Sequence, residues 1–67
     1  MTQAEIKAYR QEFYDALVEI TEGCGGGLER EKEIEVYRDV AFNSEDSYIE
    51  DFASHNTPRE AAELYTM

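Results

Sequence analysis

Apolar residues recur at helical spacing near the start of the chain. Ile6, Tyr9, Phe13, Ala16 or Leu17, and Ile20 follow at intervals of three and four, which lays one stripe along an α-helix. Thr2 stands where an N-cap belongs, and Glu5 three residues on completes a capping box. No glycine or proline interrupts the stretch, so the pattern predicts a helix over 3–22. Gly23 is placed to close it, because glycine accepts the left-handed backbone found after helix C-termini. Cys24-Gly25-Gly26-Gly27 then reads as a loose hinge.

The next stretch, 28–42, carries two periods at once. On a helix, Ile34, Val36, Tyr37, Val40 and Ala41 share an arc of roughly 160° at about 100° per residue. On a strand, Ile34, Val36, Arg38, Val40 and Phe42 alternate with Glu33, Glu35, Tyr37, Asp39 and Ala41, which puts Arg38 on the apolar face. A strand here lacks a partner elsewhere in the chain, and a lone strand is not stable. The glutamates that open the stretch suit the positive end of a helix dipole. Helix is therefore the expectation.

Asn43-Ser44 marks a break, with Ser44 as the expected N-cap of a short helix over 45–55 whose apolar side is Tyr48, Ile49 and Phe52. Asn56 suits the position after that helix. Thr57-Pro58-Arg59-Glu60 is the sharpest local signal. An N-cap threonine, a proline at the first helical position and a glutamate at the third combine the capping box with the favoured proline. It opens a last helix over 58–66, with Ala61, Ala62, Leu64 and Tyr65 as its apolar side. The expected fold is all-α, a small bundle of three to four helices forming one domain over 1–67.

Composition changes what that bundle is expected to do. The chain has 67 residues, 16 Asp and Glu against 6 Lys and Arg, and a net charge of −10. A small domain is soluble at a net charge of about 2 to 8 in magnitude, so the excess needs another account. It repels nucleic acid and acidic lipid and attracts basic protein surfaces. The acids are unevenly spread: residues 43–67 hold Glu45, Asp46, Glu50, Asp51, Glu60 and Glu63 against Arg59 alone. Such short chains bury only about 60% of their unfolded surface. With Cys24 as the single cysteine, no disulfide offsets that. A second copy or a protein partner is a natural remedy.

Candidate chemistry is thin. A phosphate-binding reading of the glycine run lacks the preceding strand and the Lys-Ser/Thr pair, and Glu29 and Glu31 oppose it. Asp39 to Glu50 has the length of a calcium loop, but Ala41 and Ser44 stand where a ligand and a glycine belong. His55, the one histidine, has Asp51 four residues before it; two ligands do not make a structural zinc site. A position near a helix C-terminus, interacting with the dipole, is the expected role of His55. No catalytic, cofactor-binding or metal-binding residue is assigned, and the chain is read as non-enzymatic. The N-terminus lacks the features of a signal peptide and no apolar run spans a membrane, so a cytoplasmic location is expected.

Two readings remain. In the first, Glu45, Asp46, Tyr48, Glu50, Asp51, Glu60 and Glu63 form a carboxylate-rich face that imitates nucleic acid. That face would dock on the basic surface of a nucleic-acid-binding complex, with no direct contact to nucleic acid or membrane. Tyr48 would serve as a mixed anchor, since tyrosine is enriched where a ring packs and its hydroxyl stays wet. The combination resembles the small acidic proteins of phages and mobile elements that bind and block host machinery. That resemblance implies an inhibitor of a defence nuclease or polymerase. In the second reading the charge serves solubility alone. The chain is then a homodimeric adaptor or regulatory subunit, paired through Ile6, Tyr9, Phe13, Leu17 and Ile20.

Overall fold

The computed structural model describes residues 1–22 and 28–66. They form four helices in order: α1 (Gln3–Glu22), α2 (Leu28–Phe42), α3 (Asp46–His55) and α4 (Pro58–Thr66). Among the described residues there is no strand, so the ambiguous second stretch is helical. The stop at Gly23 and the hinge at Cys24–Gly27 lie outside the described residues.

α1 is the spine. It packs against each of the other three helices, and α3 also touches α4. At about 1.5 Å per residue its 20 residues run some 30 Å. That length sets the long axis of the 37 × 19 × 15 Å bundle. α2 runs back along α1. Arg30 meets Glu22 at one end at 3.0 Å, and Arg10 meets the Ala41 carbonyl at the other at 3.0 Å.

Both capping boxes form. The Glu5 amide donates to Thr2 Oγ1 at 3.2 Å and the Thr2 amide donates to Glu5 Oε1 at 2.9 Å. Thr57 and Glu60 make the same reciprocal pair at 3.2 and 3.0 Å. The third helix departs from the sequence expectation. Its N-cap is Glu45, in extended backbone and with no side-chain capping bond, so α3 starts one residue later than predicted. Ser44 does not cap it, because its hydroxyl accepts a hydrogen bond from Arg10 instead.

The core is small and rests on few large side chains. Phe13, Leu17 and Ile49 are fully buried, joined by Ile6 and Tyr9 and by four alanines, Ala16, Ala41, Ala61 and Ala62. Small residues at the α1–α4 contact let the backbones approach closely, which explains how a nine-residue helix seats so firmly. The predicted arc on α2 is only partly used. Ala41 is buried, Ile34, Tyr37 and Val40 are half-buried, and Val36 is 51% exposed.

Ile6, Tyr9, Phe13 and Leu17, assigned from sequence to a dimer seam, are buried in the chain's own interior, and Ile20 is half-buried against them. The intrachain helices α2, α3 and α4 cover this stripe.

All eight aromatic residues make ring contacts. Six are joined across the four helices. Phe13 meets Tyr9, Phe52 and Tyr65 at 6.5, 5.6 and 6.3 Å between centroids. Tyr65 continues to Tyr37 at 5.9 Å, and Phe52 to Tyr48 at 5.1 Å. Tyr14 and Phe42 pair separately at 5.3 Å on the other flank of the α1–α2 contact. Tilted and edge-on pairs of this kind are worth about 0.5–1.5 kcal/mol beyond the area they bury.

Candidate partner-binding surface

The candidate acidic face is built on the turn that joins α2 to α3, and a buried cation holds that turn. Arg10 projects from α1 on the apolar stripe, four residues after Ile6 and three before Phe13. Its Nη1 donates to the Ala41 carbonyl and to Ser44 Oγ, each at 3.0 Å. Its Nη2 donates to the Ser44 carbonyl at 2.7 Å and to Asp46 Oδ1 at 2.9 Å. One guanidinium thus satisfies carbonyls left open at the end of α2 and pairs with the carboxylate that starts α3. The sequence carried a signal for this: a lone charged residue on an otherwise apolar stripe.

Asp46 is therefore engaged within the chain. Gln3 Nε2 donates to its other oxygen at 3.1 Å. The Gln3 bond first and Arg10 second hold its pKa below the ordinary value of 3.8. Glu60 is engaged too: the Thr57 amide and hydroxyl lower its pKa from 4.5. Glu63 lies 3.6 Å from Arg59 Nε. Three of the six predicted face carboxylates thus have structural work inside the bundle.

Glu45, Glu50 and Asp51 do not. All three are exposed, and none of their carboxylates makes a hydrogen bond or salt bridge among the described residues. Tyr48 is 40% exposed beside them. Desolvation of its inner side, followed by the nearby Tyr65, raises its pKa above 10.0. At about 100° per helical residue, Glu45 and Asp51 flank Tyr48, while Glu50 points about 160° away. The predicted face is thus two faces: Glu45, Tyr48 and Asp51 on one, Glu50 on the other.

The same inequality extends over the molecule. Glu12, Glu31, Glu33 and Glu35 also lack intrachain partners, whereas Lys7, Lys32 and Arg38 are the only such cations among the described residues. A second feature lies across the bundle. An open groove of about 310 Å³ runs between α1 and the start of α4, lined by Glu12, Asp15, Ala16, Glu19, Thr57, Pro58 and Arg59. Arg59 Nη1 crosses it to Glu19 at 3.2 Å.

His55 ends α3 and is exposed. Among the described residues no group of three or more His, Cys, Asp or Glu is placed to hold a metal ion. No described helix is long and apolar enough to cross a membrane. Set against known proteins, the chain matches no family model, no curated protein and no solved structure.

Proposed function

We propose that this chain is a non-enzymatic acidic binding protein that docks on a basic protein surface, of the kind that otherwise holds nucleic acid, and so blocks it. The observation that carries the reading is the set of carboxylates with no structural employment: Glu45, Glu50 and Asp51 on α3, beside the exposed Tyr48. Carboxylates free of internal cations keep their full field, which speeds encounter with a basic partner and selects it. An inhibitor of a host nucleic-acid-handling complex, such as a defence nuclease or polymerase, fits this chemistry. The resemblance to small acidic proteins of phages and mobile elements points the same way. A cytoplasmic site of action follows from that reading.

Affinity capture from a bacterial lysate at low and high salt, with and without competing DNA, tests it. The expected result is one nucleic-acid-binding complex, lost at high salt and displaced by DNA. Recovery of a partner indifferent to both overturns the reading.

A further inference from the structure

The carboxylates of α3 account for attraction but not for where a partner seats. The groove between α1 and the start of α4 supplies a seat. Its floor is apolar: Ala16 is 7% exposed and Pro58 is half-buried. Its α1 wall is acidic. Glu12, Asp15 and Glu19 follow at spacings of three and four, which sets them in one row along the helix. Glu12 and Glu19 stand about 10 Å apart at about 1.5 Å per residue, the length of about three residues of extended chain. The opposite wall is fixed, because the Thr57–Glu60 capping box and Pro58 hold the first turn of α4.

The charges decide the occupant. Arg59 is the one cation lining the groove, and it is already paired, with Glu19 at 3.2 Å and Glu63 at 3.6 Å. Asp15 accepts a bond from the neutral Gln11 amide at 3.0 Å and meets no cation among the described residues; the Glu12 carboxylate has no partner among them. Two carboxylates thus border an apolar floor without a counter-charge. An anion here would face the whole acidic row, and the capping box already engages the Thr57 and Glu60 amides that could draw one. A second copy would bring a net charge of −10 against this wall. An aliphatic stem with a cationic head satisfies both parts: the stem lies along Ala16 and Pro58 while the head reaches the carboxylates. Arginine suits the place better than lysine, because its guanidinium forks between carboxylates and is more weakly hydrated.

We infer that this groove seats an arginine of an extended basic segment of the partner protein, with its guanidinium on Glu12 and Asp15. The inference rests on the proposed basic partner and adds the place where that partner inserts and the side chain it uses.

The test is an amide-shift titration of the full-length ¹⁵N-labelled chain with a capped Gly-Arg-Gly-Arg-Gly peptide. The same peptide with lysine, and with citrulline in place of arginine, supply the comparison; citrulline keeps the shape and removes the charge. The expected result is saturable binding, tightest for arginine and absent for citrulline, with shifts centred on 12–19 and 57–59. Glu12→Gln with Asp15→Asn, both sites being exposed, should keep the helical circular dichroism and weaken that binding about fivefold or more. Glu45→Gln with Asp51→Asn removes the same charge from α3 and should change it less than about twofold. Equal losses from the two double variants, or shifts centred on α3, overturn the groove while leaving the basic-partner reading intact. Equal binding of the citrulline peptide overturns the charge pairing, and equal binding of the lysine peptide overturns the choice of arginine. Absence of saturable binding at low salt also overturns the groove, and the lysate capture then judges the basic partner independently.

Discussion

Arg10 and Asp46 meet at 2.9 Å across 36 residues of sequence, the arginine side chain 11% exposed and the aspartate 49%. The pair is asymmetric: the cation is enclosed and the anion is at the surface. Arg10 therefore needs its partners more than Asp46 does. Replacing Arg10 with alanine removes four hydrogen bonds and leaves the Ala41 and Ser44 carbonyls open. The expected loss is about 3 kcal/mol by urea denaturation, a large part of the roughly 3–10 kcal/mol that a chain this size commands. Arg10→Lys should recover less than half, because an ammonium cannot fork between Nη1- and Nη2-type partners. A loss below about 1 kcal/mol for the alanine variant rules out this role.

Acid should destabilise the fold through three carboxylates. Thr2 lowers the pKa of Glu5, Thr57 that of Glu60, and Gln3 with Arg10 that of Asp46. A folded pKa below the unfolded one means that the unfolded chain takes up protons first as pH falls. The stability they contribute is complete above their ordinary values of 4.5 and 3.8 and drains away below them. Melting curves between pH 6 and pH 3 should show the midpoint falling below about pH 4.5, and Asp46→Asn should flatten the lower part of that fall. An unchanged slope in the variant contradicts the assignment.

Alkali should act through Tyr9. Burial first and Glu60 second raise its pKa above 10.0, and its hydroxyl donates to the Asn56 carbonyl at 3.1 Å. The folded state holds this proton longer than the unfolded chain, so its contribution is complete below pH 10 and is lost as pH rises through the folded pKa. Tyr9→Phe should cost about 1 kcal/mol at neutral pH. It should also weaken the alkaline fall, read by far-ultraviolet circular dichroism.

Phe13 separates the core from a seam. It is fully buried and touches three other rings. Truncation to alanine should cost about 3–5 kcal/mol, and Phe13→Glu should unfold the chain outright. Sedimentation and circular dichroism of Phe13→Glu distinguish the two roles. Loss of helix at all concentrations fits the core; a folded monomer derived from a dimer does not.

Charge reversal should sort the acids. Glu45→Lys with Asp51→Lys should slow association with the captured partner at least tenfold at low salt and leave the melting midpoint nearly unchanged. Glu60→Lys should lower the midpoint instead, since it breaks the Thr57 cap. Surface plasmon resonance beside thermal melts reads both. Equal effects on association from both changes make the acidity a diffuse field without a preferred face.

Much of the architecture was legible because it is local. Spacing and capping boxes place α1 and α4 at their observed bounds, since Thr2–Glu5 and Thr57–Glu60 act within a single turn. The start of α3 was misplaced because Ser44 answers to Arg10, 34 residues away. The use of the α1 stripe was not legible for a related reason. Periodicity shows that Ile6, Phe13 and Leu17 share a stripe but not which helix covers it. Which carboxylates are engaged within the chain was not legible. Sequence counts carboxylates, whereas contact decides that Asp46, Glu60 and Glu63 are engaged and Glu45, Glu50 and Asp51 are not.

The six joined rings have a spectroscopic consequence. They include residues from every helix, and the chain contains no tryptophan. Its near-ultraviolet dichroism thus arises from tyrosine and phenylalanine held largely in one network, and α1 cannot part from α3 or α4 without altering that band. Any tryptophan emission in a complex belongs to the partner, so the tyrosines can be watched as donors while the partner is watched as acceptor, with no label on either.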